Sequence, residues 1–229
     1  MEPKTHDTDY LFLTTRVRSL ECNLLDQDRM EQILEASNIE DAARILTECG
    51  YPELDTVTPD AVGQMLTQEQ QAVWEDVGQF LPDPAVLDVF QLKYDYHNVK
   101  VLLKAGATGT EPSRLLMEAG RVSLKDLTNA VETNDWHNLP PLLAEAIEQA
   151  RQVLSTTRDP QLGDFTLDQF YFRDMMALAE DAGSDFLMGY VRRTIDTANL
   201  RTAVRVLRMG KGGEFLDSIL FEGGTVESD

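Results

Sequence analysis

Cysteine is nearly absent: Cys22 and Cys49 are the only two in 229 residues. They lie 27 positions apart, outside any Cys-x-x-Cys and away from any histidine pair, so neither zinc nor a disulfide framework is implied. They read as buried or partly buried thiols in a reducing compartment. Histidine is equally sparse. His6, His97 and His137 are far apart and none is ligand-spaced with another histidine or a cysteine, so no metal or other cofactor is expected. Long apolar runs are missing too. The longest, Met175 to Ala179, has five residues, against the ~20 needed to cross a bilayer. No basic stretch precedes an apolar one at the N-terminus, so no secretory leader is expected. Positive charge is scarce: 20 Lys and Arg against 40 Asp and Glu give a net charge of −20. Such a surface repels phosphate backbones and anionic headgroups, which excludes a nucleic-acid binder and suits a soluble chain or one that docks on a basic partner.

Sustained β-branched alternation is also lacking, and what is present instead is helical period. Leu13, Val17, Leu20 and Leu24 fall three and four apart within residues 10–25. Asp26 and Asp28 suit the start of a second helix, Asn38 the cap of a third that ends near Gly50, and Thr58-Pro59 the start of one running towards Phe80. A helix over about 85–105, closed by Gly106 and Gly109, carries Asp95, Tyr96, His97 and Asn98. The pattern resumes from Pro112, and another helix opens at 138–143. Residues 155–164 read as a loop, and helices follow over 166–182 and 185–207. The class is all-α, with about nine or ten helices.

Asp95-Tyr96-His97-Asn98 gathers catalytic residue types, but it has a second copy. Asp95, Asn98 and Lys100 match Asp196, Asn199 and Arg201 at an offset of 101, while His97 is replaced by Ala198 and Tyr96 by Thr197. "LMEAGRVS" (116–123) likewise resembles "LFEGGTVE" (220–227), at an offset of 104. The chain therefore reads as a module over 1–106, a second over 107–209, and the opening of a third over 210–229. What recurs is Asp, Asn and a basic residue. Asp95 and Asn98 share a helix face, which suits a structural network closed on a neighbouring backbone. "GKGGEF" (210–215) lacks the spacing of a phosphate loop and reads as a turn, the aromatic and methionine cluster at 168–176 as core, and Arg16 and Arg18 as a small basic face open to a partner.

"YLFLTTRVRSLECNLL", "KYDYHNVKVLLKA", "LDQFYFRDMMALAE" and "YVRRTIDTANLRTAVRVLR", in this order, resemble the C subunits of V-type and A-type ATP synthases, equivalent to the d subunits of vacuolar ATPases. The resemblance runs through nearly the whole chain. It implies three helical modules about a pseudo-threefold axis, forming a funnel, with most of the third module lacking here. It further implies a non-catalytic central-stalk protein without cofactors, cytoplasmic and peripheral to the membrane. Such a protein couples the rotor shaft subunits to the proteolipid ring, so that ion transport is linked to ATP synthesis or hydrolysis. Asp95, Asn98, Lys100, Asp196, Asn199 and Arg201 then hold module geometry.

Two other classes compete with that reading: a free helical-repeat scaffold for a basic protein, and an enzyme using Asp95 and His97. The change His97→Ala separates the last from the rest. A structural repeat predicts near-native folding and assembly of this variant, measured by circular dichroism and gel filtration, whereas loss of an activity without loss of fold establishes the enzyme.

Overall fold

The computed structural model describes residues 5–210, 212–217 and 219–226. Among these there is no strand; the elements are one short 3-10 turn, Asp7–Tyr10, and ten α-helices. Packing divides the chain into two compact units, residues 5–84 and residues 85 onward.

The first unit contains α1 (Leu11–Glu21), α2 (Gln27–Glu35), α3 (Ile39–Glu48) and α4 (Pro59–Phe80). The starts of α2, α3 and α4 are each set by a single side chain. Asp26 accepts from the Arg29 amide, Asn38 from Asp41, and Thr58 from Ala61, each satisfying an amide the helix leaves open. α1 packs on α4 through the Phe12 and Phe80 rings, 4.8 Å apart, and a two-pronged ion pair of Arg16 with Asp76. The unit is thinly packed. Leu13 and Met65 are buried, while Leu11, Leu24, Leu34 and Ile39 are more than half exposed. α1 stops at Glu21, short of the expected Leu25, and Cys22 at its end is exposed, contrary to the buried-thiol reading.

The second unit holds the main core. α5 (Ala85–Thr108) carries buried residues on several faces, among them Val89, Leu92, Tyr96, Val99 and Leu102, as a helix surrounded by others must. α6 (Leu124–Thr133) and α7 (Pro141–Thr157) follow, and α8 (Pro160–Ala182) lies between α7, α5 and α9 (Asp185–Arg208), with the short α10 (Gly213–Asp217) beyond. Leu127, Leu143, Ile147, Leu167, Met175, Leu187 and Ile195 fill the space between them. At roughly 25 cal/mol per Å² of apolar area removed from water, this unit supplies most of the burial energy.

Three expectations are corrected. Gly106 lies within α5, and the helix is closed at Gly109, whose φ of +69° suits the left-handed turn. The loop expected over 155–164 shrinks to Arg158-Asp159, because Asp159 caps α8 and Pro160 fits its first position. Residues 112–123, expected to be helical, form no helix; their backbone finds partners elsewhere, described next. Lys211 of the "GKGGEF" turn lies outside the described residues, and Gly213 already begins α10.

Candidate functional site

Asp95 and Asn98 project from one face of α5 onto the segment that precedes α6. The Asn98 amide pairs with Met117 in both directions: its Nδ2 donates to the Met117 carbonyl at 2.8 Å and its Oδ1 accepts from the Met117 amide at 2.9 Å. Asp95 Oδ1 accepts from the Val122 amide at 3.1 Å. Asp95 and Asn98 are both fully buried. Together they hold residues 117–122 across the helix, so this segment satisfies its backbone through side chains instead of through a helix of its own.

The second copy does the same. Asn199 pairs in both directions with Phe221, each bond 2.8 Å, and Asp196 Oδ1 accepts from the Thr225 and Val226 amides at 2.8 and 3.0 Å. Met117 to Phe221 and Val122 to Val226 are both steps of 104, while the helix residues step by 101. The second connection is accordingly longer: 22 residues separate Asn199 from Phe221, against 19 between Asn98 and Met117. A glycine is required in each segment by close approach. A Cβ on Gly120 would stand 2.2 Å from Asp95 Oδ1, and one on Gly224 would stand 2.2 Å from Asp196 Oδ1.

The two clamps differ in charge. Arg121 Nε donates to Asp95 at 3.0 Å, and its Nη2 reaches Asp174 of α8 at 3.3 Å, where the Tyr96 hydroxyl also donates at 3.2 Å. Burial pushes the Asp95 and Asp174 carboxyls above the ordinary carboxylate range, opposed by Arg121, and burial beside Asp174 raises the Tyr96 phenol. In the second copy Thr225 stands where Arg121 does in the first. Its hydroxyl donates to Asp196 Oδ2 at 2.5 Å, and that bond with the Val226 amide holds the Asp196 carboxyl below the ordinary range.

His97 does not join Asp95. Its Nε2 lies 2.9 Å from the Leu115 carbonyl, while both Asp95 oxygens are taken by Val122 and Arg121. Among the described residues no cluster of His, Cys, Asp or Glu could hold a metal ion. No helix among them is long and apolar enough to cross a membrane.

The profile of the family described as ATP synthase (C/AC39) subunit matches residues 13–229. The chain belongs to this family. It is 24% identical to the C subunit of the V-type sodium ATPase of Enterococcus hirae, over 96% of this chain and 68% of that protein. It is 27% identical to the C subunit of the V-type ATP synthase of Thermus thermophilus, over 93% of this chain and 70% of that protein. Identity to the C subunit of the A-type ATP synthase of Methanocaldococcus jannaschii is 24%, over 90% of this chain and 56% of that protein.

In this C/AC39 family member the remaining sequence candidates fall in different places. Lys100 donates to Asp168 of α8 at 2.5 Å, and Lys104, one turn on, does the same to Asp164. Their counterparts Arg201 and Arg205 are exposed on α9. Arg16 is committed to Asp76, and Arg18 pairs with Glu21 on its own helix. Sequence reasoning passed over Gly120, Arg121, Asp174 and Gly224. The glycines were within reach, since both copies of the "LMEAGRVS" pattern place one at the same position.

Three measurements follow from the clamps. Gly120→Ala forces a methyl into the Asp95 carboxylate and should lower stability by about 3 kcal/mol in urea unfolding, the cost of breaking a buried charge pair; Gly224→Ala should speed hydrogen exchange at the Thr225 and Val226 amides. In a carboxyl NMR titration from neutral pH downward, the Asp95 and Asp174 signals should move first, above the ordinary range, and Asp196 last, below it. The raised pair favours the folded state at low pH and loses that contribution as pH rises through its window. Asp196 stabilises above the ordinary range, and its contribution goes as pH falls through its lowered value. An Asp196 that titrates at or above the ordinary range means its clamp is open in solution.

Proposed function

We propose that this chain is a non-catalytic coupling component of a V- or A-type rotary ATPase, peripheral to the membrane on its cytoplasmic side. It joins the rotor shaft subunits to the proteolipid ring. The family match over residues 13–229 carries the reading, since the relatives it shares are the C subunits of such complexes. In this role the chain does no bond chemistry. It transmits torque, which calls for joints that neither slide nor stretch.

The clamps suit that demand. In the repeat reading, module one spans 1–106, module two 107–209, and a third opens at 210. Each Asp-x-x-Asn helix near the end of one module then holds the opening segment of the next, so Asp95 and Asn98 form the first joint and Asp196 and Asn199 the second. Lys100 braces the first joint against α8. Hydrogen bonds at fixed distance and direction resist shear better than apolar contact, which is non-directional.

A tagged chain expressed in its source cell and recovered from gently solubilised membranes should bring down both shaft and proteolipid-ring subunits, identified by mass spectrometry. Recovery of neither overturns the proposal. Recovery of an unrelated basic protein in their place establishes the scaffold reading, which the net charge of −20 would serve.

A further inference from the structure

The two cysteines are 27 positions apart in sequence, yet the first unit brings their surroundings together. Cys22 closes the end of α1, its amide bonded back to the Ser19 carbonyl, and Cys49 closes the end of α3 on Ile45 and Leu46. α2 packs on α3, and Arg29 in the first turn of α2 pairs with Glu48 at the end of α3 at 2.9 Å. The start of α2 therefore lies beside the end of α3, and Cys22 stands only four residues ahead of Asp26, the α2 cap. The approach is repeated one residue beyond each cysteine. Asn23 follows Cys22 and Gly50 follows Cys49, and a Cβ on Gly50 would stand 3.8 Å from Asn23 Nδ2, in ordinary contact. Each cysteine thus directly precedes one member of a touching pair.

The thiols also have access and room. Cys22 is exposed and Cys49 half-buried, and Cys22 Sγ makes only a weak 3.7 Å contact with the Arg18 carbonyl of its own helix. A disulfide asks for Cα atoms within about 7 Å of each other. α2 and α3 carry no buried residue, so little packing resists a shift that meets this condition.

We propose that Cys22 and Cys49 are a redox-responsive pair, closed to an intramolecular disulfide by a small disulfide oxidant of the glutathione class. The Cys22 thiolate attacks one sulfur of glutathione disulfide and releases the first glutathione. The Cys49 thiolate then attacks the Cys22 sulfur of the mixed disulfide and releases the second. The two protein thiols lose two electrons, glutathione disulfide gains them, and the two released glutathiones take up the two protons. The bond ties the end of α1 to the end of α3 and encloses α2, in the unit with the thinnest core. Oxidising surroundings stiffen this unit and reducing ones release it, independently of any coupling role.

The full chain is equilibrated with mixtures of reduced and oxidised glutathione, both folded and in urea. Its thiols are then blocked and its peptides mapped by mass spectrometry without reduction. A Cys22–Cys49 link within the monomer is expected, absent from C22S and C49S. The folded chain should favour the link roughly tenfold or more over the urea-unfolded chain, because folding has already closed the intervening loop. Oxidation should also slow amide exchange in α2 and α3, and unchanged circular dichroism checks that both serine variants fold. Separate glutathione adducts without a link overturn the proposal, as do no reaction and a link between two chains. A link no more favoured in the folded chain than in urea overturns it too, since the fold then does nothing to pair the cysteines.

Discussion

Asp95 is a carboxylate with no exposed surface, and a charge so placed either finds partners or gives up its charge. Its partners arrive from one short segment: the Val122 amide on one oxygen and the Arg121 guanidinium on the other. Much of the surrounding structure follows from that. Arg121 comes with a charge of its own to place, and Asp174 takes the other end of it. Asp174 in turn is held by the Tyr96 hydroxyl, one residue from where the chain of contacts began. The segment must pass so near the carboxylate that position 120 admits no side chain. A buried network of this kind adds little net stability over an apolar core. Its value is that any other register leaves a charge stranded.

The second copy shows which parts of this are essential. The Asp-to-amide and Asn-to-backbone bonds persist, and so does the glycine. The guanidinium does not. Asp196 lies nearer the edge, and a threonine hydroxyl suffices for it. The arginine is thus an answer to burial and to a second carboxylate on α8, and the clamp itself is the invariant. Between the two copies, the charge surrounding the clamp changes without changing how the clamp is made.

What was legible in the sequence was what is local. Asn38, Thr58 and Asp26 cap helices through amides three residues away, so their role shows in a window of four. The Asp-x-x-Asn pair was visible because it occurs twice. Residues 112–123 misled, since Leu115 and Leu116 fit a helical pattern while the bonds that decide their shape come from side chains 19 or more positions back. Asp174 was hidden inside an aromatic and methionine cluster that is indeed core. Arg121 has no counterpart in the second copy, so the repeat could not mark it. The exposure of Leu200 and Val204 on α9 was beyond reach for a different reason: periodicity says which face is apolar and never how far it is covered.

The clamps also set an order of events as the chain folds. Each closes a loop of only 19 or 22 residues, and the entropy of closing a loop grows slowly but steadily with its length. Asp174 joins from 53 residues beyond Arg121, and from 78 beyond Tyr96. The amide pairing of Asn98 can therefore form while α8 is still unplaced, and the arrival of α8 then supplies the second carboxylate that fixes the guanidinium. A chain emerging from the ribosome meets its partners in that same sequence, each helix finding the stretch that follows it before it finds its distant neighbour.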